Sequence, residues 1–305
     1  MRKLLTPSPM SKIIHAKEVS NALKDLARDL RLGALDSDGY AIRADRVASE
    51  ACAILEQRAS RFTVEFSGAF IEIPVVRFGP TVTSLNLFDY KELSVFAIYL
   101  RNSFMLRRFL DLGSNIGSHS LFVAKLGAQV RSWDPDESVS SIHRQIFSEH
   151  GLHANHVVAA AGALQRKSSF LRLEDNQTGS HLEGMKLSPY GPVTRIEVSV
   201  EDCRADIAWA DLVKMDVEGV ESEIICELSH DDLARIFLVC EVTNHDSAKK
   251  IYDYLNEAPV SMFCQKSGWL TPRSIEEMPT HHSHGSLVII GHQSPATASF
   301  LEVVN

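Results

Sequence analysis

Phe109-Leu110-Asp111-Leu112-Gly113-Ser114-Asn115-Ile116-Gly117-Ser118-His119-Ser120 is the stretch that decides the fold. An apolar run ends in an acid, a turn with two glycines follows, and an apolar stretch of helical character comes next. This order predicts a strand, a tight turn and a helix N-terminus, the arrangement on which α/β proteins seat a nucleotide ligand. Gly113 permits the turn, and Gly117 lets backbone or ligand come close. The spacing Asp-x-Gly-x-Asn-x-Gly differs from the dinucleotide fingerprint Gly-x-Gly-x-x-Gly.

The composition is that of a globular protein. The chain has 305 residues, of which 45% are apolar and 23% charged, enough for one large domain or one domain with an extension. A net charge of −8 argues against a general nucleic-acid binder, which needs clustered Lys and Arg. The sequence has neither a membrane-spanning apolar run nor a signal-peptide core, so we expect a cytoplasmic protein without a membrane span.

The cysteines argue against a disulfide framework or a zinc site. They are odd in number, widely spaced and without a Cys-x-x-Cys pair: Cys52, Cys203, Cys226, Cys240 and Cys264. Buried thiols in a reducing compartment are the favoured interpretation.

The first part of the chain, residues 1–84, is predicted to be a helical and β-hairpin extension. Apolar residues recur at helical spacing over residues 13–32 and 41–58. Alternating residues over 62–66 and 70–75 indicate a hairpin, and residues 81–87 a third short strand. We interpret this extension as a cover for the core or a homodimer contact. A helix over residues 89–102 leads to the central turn.

From residue 107 onward the pattern alternates between strand and helix. Strands are predicted over residues 109–112, 129–133, 156–160, 211–215 and 236–242. Helices are predicted over residues 118–126, 137–150, 220–228 and 247–256. This alternation indicates a doubly wound α/β fold with a mostly parallel sheet. Residues 168–173 and 195–200 form a predicted hairpin around the polar loop 174–192, and residues 259–264 and 286–291 a predicted antiparallel pair at the sheet edge.

An acid follows the second strand of the alternating region. Asp134 comes 23 residues after Asp111, near the separation expected of an acid that accepts hydrogen bonds from ribose hydroxyls. A carboxylate can bind a diol through both of its oxygens. The alternative is a helix N-cap, a role that Asp136 could fill while Asp134 faces a ligand.

A second group of acids follows the strand predicted over residues 211–215. Asp216, Glu218 and Glu221 follow it at a strand-to-helix turn that contains Gly219. Acids crowded at one sheet edge raise one another's pKa, which favours a bound cation, a general base or a positively charged ligand. For Glu221 we favour a first-turn acid stabilised by the helix dipole, and for Asp216 a functional role.

The strand over residues 236–242 carries Glu241 among apolar residues, where an acid needs a partner. His245 follows, and histidine is the residue type best suited to acid–base work near neutrality. The cluster formed by His281, His282 and His284 could hold a metal, but its flanks indicate a loop, and we assign no metal ligands.

Three stretches in this order resemble the FkbM family of methyltransferases that depend on S-adenosylmethionine (SAM). They are residues 110–117, Trp133-Asp134-Pro135 and Lys214-Met215-Asp216-Val217-Glu218-Gly219-Val220-Glu221. Members typically show Asp-x-Gly-Ala-Asn-x-Gly, then Glu-Pro, then Lys-Ile-Asp-Val-Glu-Gly-x-Glu. The last element is the specific one. The resemblance covers about residues 85–291 and is silent on the N-terminal extension.

The resemblance implies a class I methyltransferase (Rossmann-like) domain over residues 85–305 that methylates a hydroxyl of a sugar, polysaccharide or natural product. The cofactor would be SAM and the product S-adenosylhomocysteine (SAH). By position, the glycine turn would border the methionine part of SAM, and Asp134 with Pro135 its ribose. The implied turn residues are Asp111, Gly113, Ser114, Asn115 and Gly117. Asp134 stands where Glu is usual, and Ser114 where Ala is usual.

Methyl transfer to a hydroxyl requires alignment and benefits from a general base. Asp216, Glu218, Glu241 and His245 are the candidates. We favour Asp216 or Glu241 as base or orienting group, with His245 behind them. A divalent metal such as Mg²⁺ at Asp216 is the less favoured alternative. The loop 174–192 is a candidate lid over the small-molecule or carbohydrate acceptor.

Two other functions compete with this prediction. An NAD-dependent oxidoreductase is disfavoured because the third glycine of the dinucleotide fingerprint is missing. A non-catalytic scaffold of the same fold is disfavoured because every motif position that would face the cofactor is intact.

Overall fold

A computed structural model describes residues 13–15, 20–21, 49, 61–66, 69–78, 81–82, 90–174, 177–185 and 191–296. Cys52 and most of the two predicted N-terminal helices lie outside these residues. Among the helices it does describe, none has the length and apolar character needed to cross a bilayer.

The first part of the described chain contains short strands followed by one helix. They are β1 (Ile13–His15), β2 (Arg61–Phe66), β3 (Ala69–Pro74), β4 (Arg77–Phe78), β5 (Thr81–Val82) and α1 (Tyr90–Arg101). β2 and β3 pair antiparallel, which confirms the predicted hairpin. The predicted helix over residues 13–32 is wrong at its start, because β1 pairs parallel with β2. Two adjacent β-branched residues, Ile13 and Ile14, favour that extended backbone once a partner strand is available.

The remaining strands and helices alternate much as predicted. The strands are β6 (Arg108–Leu112), β7 (Gln129–Trp133), β8 (Ala154–Val157), β9 (Ala160–Gly162), β10 (Arg166–Leu173), β11 (His181–Leu182), β12 (Val193–Asp202), β13 (Leu212–Met215), β14 (Phe237–Glu241), β15 (Val260–Cys264) and β16 (Ser286–Gly291). The helices are α2 (Ser118–Lys125), α3 (Glu137–Glu149), α4 (Arg204–Trp209), α5 (Glu221–Ile225), α6 (His230–Leu233) and α7 (His245–Leu255).

Seven strands form the central sheet in the order β15-β16-β14-β13-β6-β7-β8. All neighbours from β8 to β14 pair parallel, and β16 runs antiparallel to both β14 and β15. This confirms the predicted doubly wound, mostly parallel sheet, in which the antiparallel strand β16 lies one place inside the edge. The strand order reverses between β6 and β13, where ligands bind beyond the carboxyl ends of the strands. We call that side the carboxyl edge.

Both faces of the sheet are buried, as a doubly wound fold requires. On one face Phe109 packs in the apolar cluster that contains Tyr99 of α1 and Phe147 of α3. Leu110 points to the other face and lies in the cluster that contains Ile224 of α5 and Ile251 of α7. Adjacent residues of β6 thus belong to different layers, and the strand reads as a continuous apolar run.

A second sheet, in the order β11-β10-β12-β9, lies outside the central one. β10 and β12 form the predicted hairpin and extend beyond its predicted ends. The predicted strand over residues 156–160 is wrong as a single element. β8 ends at Val157 in the central sheet, whereas Ala160 begins β9 and pairs parallel with Val200 of β12. The chain changes sheets between them, which an unbroken apolar run does not indicate.

The glycine turn offers a test of close packing with a matched control. Gly117 and Gly127 both have positive φ, +84° and +97°. A Cβ on Gly117 would lie 2.6 Å from the His143 ring, whereas a Cβ on Gly127 would have no neighbouring atom within 4 Å. We expect Gly127→Ala to lower the free energy of unfolding by about 1–2 kcal/mol, the cost of the left-handed backbone. Gly117→Ala should cost about 1–3 kcal/mol more through overpacking. Urea unfolding measures both, and equal losses would contradict the packing described here.

Candidate functional site

The glycine turn, residues 113–117, is fixed against the end of β7. The backbone N–H groups of Gly113 and Ser114 both donate to the Trp133 carbonyl, at 2.9 Å each. Asn115 has a positive φ of +48°, a backbone that asparagine tolerates better than most residues. The turn therefore reaches α2 in one defined conformation beside the acid that follows β7.

Asp134 joins that turn to the start of α3. Its Oδ2 accepts from the Asn115 N–H and its Oδ1 from the Asp136 N–H, both at 2.9 Å. Burial raises the pKa of Asp134 to about 7, although the two N–H bonds oppose the rise. Asp136 caps α3 by accepting from the Ser138 N–H at 2.8 Å, which is the N-cap role predicted for it. Pro135 lies between them.

The acid turn, residues 216–221, touches the glycine turn. A Cβ on Gly113 would lie 1.8 Å from the Asp216 carbonyl oxygen, so only glycine fits there. Glu221 is fully buried, and both of its oxygens accept from the Gly219 N–H at 3.0 and 3.1 Å. This agrees with the structural role expected of Glu221. Burial raises its pKa to about 7.

Lys214 connects the two turns, and the motif analysis gave it no role. Its Nζ donates to the Gly113 carbonyl at 3.0 Å and lies 3.4 Å from Asp216 Oδ2 and 3.7 Å from Asp111 Oδ1. Burial alone would lower the pKa of Lys214, but nearby carboxylates, Asp216 and Asp111 foremost, outweigh it and raise the pKa. Lys214 is therefore a fixed cation between two acids.

Glu241, at the end of β14, belongs to the same charged group. Burial raises its pKa well above the ordinary value, and the charges of Asp216, Glu218 and Glu92 add to the rise. Lys214 opposes them. Glu218 itself has a left-handed backbone, φ +56°. The structure thus brings Asp111, Asp216, Glu218 and Glu241 to the carboxyl edge, as predicted from their strand ends.

Glu92 and His119 were not identified as site residues from the sequence. Glu92 Oε2 lies 2.9 Å from His119 Nε2, and His119 Nδ1 lies 3.2 Å from the hydroxyl of buried Tyr99. The charge of Glu92 acts on both Lys214 and Glu241, which places it beside the acid turn. Only its position directly before Leu93, the first residue of the apolar stripe of α1, hinted at this, and many surface acids share such a position.

Buried His143 and partly buried His156 lie beneath the glycine turn. Ser114 Oγ lies 3.4 Å from His143 Nδ1, so this predicted cofactor residue directs its hydroxyl toward the protein interior. The His143 and His156 rings stand 4.6 Å apart, and Ser132 Oγ lies 2.8 Å from His156 Nδ1. Burial lowers the pKa of each histidine to about 4, so both are neutral at pH 7.

His245 is the first residue of α7; its side chain is 65% exposed, and its Nδ1 lies 4.0 Å from Asp246 Oδ1. Its charge acts on Glu276 in the turn at residues 275–277, which packs on α7. In the described part of the chain, no group of three or more His, Cys, Asp or Glu is arranged to hold a metal.

The predicted lid reaches the acid turn. Between β10 and β12 the chain adds the two-residue strand β11 and then Met185, whose side chain would lie 2.7 Å from a Cβ on Gly219. The described part of the loop 174–192 therefore packs on the turn that carries Asp216 and Glu218.

No protein-family model matches the chain, and no curated protein matches it. Solved structures show a remote likeness. The Pyrococcus abyssi tRNA (uracil-54, C5)-methyltransferase in complex with SAH is 13% identical, with 75% of this chain and 44% of that one covered and a TM-score of 0.37. A SAM-dependent methyltransferase from Agrobacterium tumefaciens is 9% identical (69% and 70% covered, TM-score 0.38), and the N-terminal domain of human METTL16 is 15% identical (73% and 75%, TM-score 0.36). The chain spans less than half the length of the first of these.

The raised pKa of Asp134 predicts a pH-dependent cost of folding. The unfolded carboxyl ionises near pH 4 and the folded one at about 7, so rising pH favours the unfolded chain across that interval. We expect the wild-type free energy of unfolding to fall relative to Asp134→Asn by up to about 1.4 kcal/mol per pH unit from about 4 to about 7.

The comparison with Asp134→Asn is needed because His143 and His156 also titrate in this range. Their pKa values are lowered, so their titration makes the free energy of unfolding rise with pH. Urea unfolding at several pH values measures the difference. Asp231→Asn, at an exposed position, is the control and should run parallel to the wild type. A wild-type curve that also runs parallel to Asp134→Asn would contradict the burial argument.

Proposed function

We propose that this protein is a SAM-dependent methyltransferase that transfers a methyl group to a hydroxyl of a sugar, polysaccharide or natural product. One observation carries the proposal: the glycine turn at the switch point of the sheet lies between Asp134 on one side and the acid turn on the other. The FkbM assignment is the finer part of the proposal and rests on the three motifs.

The chemistry of these residues fits SAM. Asp134 has one N–H donor on each oxygen, which leaves acceptor capacity for the two ribose hydroxyls. Asp111 Oδ1 and Asp216 Oδ1 are buried atoms without a hydrogen-bond partner, and carboxylates suit a ligand with an ammonium and a sulfonium charge. Val158, directly after β8, is apolar and 42% exposed, as a surface for a flat base requires.

Glu241 is the residue we propose as general base. When bound, SAM supplies a methyl group on a positively charged sulfur. Glu241 would take the hydroxyl proton on its carboxylate, and because burial and neighbouring acids raise its pKa, that carboxylate is a stronger base than an ordinary glutamate. Lys214 holds Asp216 beside it, so that Asp216 can orient the acceptor hydroxyl.

Two alternative functions would use the carboxyl edge differently. An NAD-dependent oxidoreductase would use the same switch point with a different glycine pattern. A scaffold would bind no cofactor. An RNA acceptor is disfavoured by the net charge of −8 and by the carboxylates at the carboxyl edge, since phosphate contacts dominate RNA binding.

Calorimetric titration with SAH and with NAD tests the proposal. We expect SAH to bind and NAD not to bind. Asp134→Ala should weaken SAH binding by about 1–3 kcal/mol, the cost of lost hydrogen bonds to ribose. Asp231→Ala, at an exposed position away from the turn, is the control and should bind as the wild type does. Tight NAD binding, or binding of neither ligand, would overturn the proposal.

A screen of sugar and natural-product acceptors for a methyl mass gain tests the proposed base. With the acceptor found there, Glu241→Gln should lower kcat by about 10²–10⁴-fold, the usual contribution of general acid–base catalysis. Glu257→Gln, at an exposed position, is the matched control. An undiminished kcat in Glu241→Gln would show that another group takes the proton.

A further inference from the structure

The second sheet has an open edge at β12. Within that sheet β10 pairs with one side of β12 along residues 193–200, whereas β9 pairs with the other side only along residues 200–202. In the described part of the chain, no other strand pairs with β12. Residues 193–199 are therefore a stretch of extended backbone to which a further strand can add.

The hydrogen bonds of the hairpin show which backbone groups of β12 point to the open side. The Glu174 N–H donates to the Pro192 carbonyl at 3.0 Å, so these two residues form a hydrogen-bonded pair of the antiparallel ladder. Such pairs alternate, and β12 therefore directs its N–H and C=O groups away from β10 at odd-numbered positions, which include Arg195 and Glu197. Cys203 agrees with this, because its N–H donates to β9, on that same side, at 3.0 Å.

The side chains of this stretch alternate in burial and in charge. Arg195 and Glu197 are exposed, and the residues between and beside them are partly or fully buried, namely Thr194, Ile196 and Val198. Like charges on an edge strand discourage a second copy of that strand from pairing with it. Here the two charges are opposite and stand on either side of Ile196, so the edge is complementary to itself.

We propose that this edge pairs with the same edge of a second copy of the protein. The two β12 strands run antiparallel about a two-fold axis at Ile196, with a ladder over residues 194–198 of each copy. Arg195 then stands opposite the partner's Glu197, and Glu197 opposite the partner's Arg195. Both positions direct their backbone groups outward, so each of these pairs exchanges two N–H···O=C bonds.

Charge and space select this register over its neighbours. An axis at Arg195 or at Glu197 would set like charges directly opposite each other, which is unfavourable. β9 limits the ladder at its far end, because Ala160 already pairs with Val200 on the same side. The two copies of Ile196 meet at the axis in a non-hydrogen-bonded pair, where side chains approach most closely.

The ion pair that Arg195 makes within its own chain is compatible with this contact. Its guanidinium pairs with Glu183 on the outer face of the sheet, and its side chain is 65% exposed. A guanidinium carries five N–H donors, so Arg195 can bind a second carboxylate beside that of Glu183.

Sedimentation velocity of the full-length protein tests the interface. We expect a dimer whose fraction rises with protein concentration, because the ladder is short and buries little surface. Arg195→Glu and Glu197→Arg each set like charges opposite each other across the axis, and each should raise the dissociation constant about tenfold or more. The double variant with both changes restores opposite charges and should regain the dimer.

Matched controls separate the interface from a general effect of charge. Arg235→Glu and Glu257→Arg make the same changes at exposed positions outside β12 and should leave the dimer unchanged. Glu183→Gln removes the ion pair within one copy and should also leave it unchanged. Urea unfolding of each variant shows whether it is folded.

A disulfide at the axis tests the register independently of charge. Ile196→Cys places two thiols opposite each other in a non-hydrogen-bonded pair, whose Cα separation of about 4.5 Å lies within the range of a disulfide. Under mild oxidation we expect this variant to form a covalent dimer. Thr194→Cys is the control, because Thr194 faces the partner's Val198, and it should remain a non-covalent dimer as the wild type does.

Four results would overturn the proposal. They are a monomer at every concentration, a dimer that neither charge reversal weakens, a folded double variant that does not regain the dimer, and equal crosslinking of Ile196→Cys and Thr194→Cys. Slow hydrogen exchange of the Arg195 and Glu197 amides at concentrations where the protein is monomeric would also overturn it, because another part of the same chain would then cover the edge.

Discussion

The contact between the glycine turn and the acid turn is the constraint on which the site depends. Gly113 lies against the Asp216 carbonyl with no space for a side chain, and Lys214 bridges the turns from below. Buried carboxylates are costly to ionise unless a cation stands beside them, and removal of one partner from such a group leaves uncompensated charge. Lys214 is therefore what allows Asp111, Asp216 and Glu241 to share one sheet edge.

This arrangement explains why several carboxyl groups of one protein have different environments. Glu221 and Asp134 accept backbone N–H bonds and hold turns in place. Glu241 has its pKa raised by burial and by neighbouring acids, which makes its carboxylate a stronger base. Burial and hydrogen-bond donors thus give these carboxyl groups different roles, which their residue type alone does not distinguish.

The sequence was sufficient for most of the central sheet because β6, β7, β13, β14 and β16 are short runs that end at, or directly before, an acid or a glycine. The chain after β8 has no such stop, and the strand predicted there ran on into β9. β7 and β16 have the predicted bounds, and the turn between β6 and α2 is where expected. The second sheet was only half predicted, because β9 and β11 are too short to show a period of their own. Glu92 and His119 were missed for a different reason. The two residues are 27 positions apart in the sequence and meet only when α1 packs on α2.

We propose that SAM binds at the glycine turn, and hydrogen exchange with and without SAH tests this directly. We predict slower amide exchange on SAH addition in peptides that cover residues 111–121 and 133–140, with no change in β2 and β3. Protection confined to other segments, or none at saturating SAH, would contradict the account.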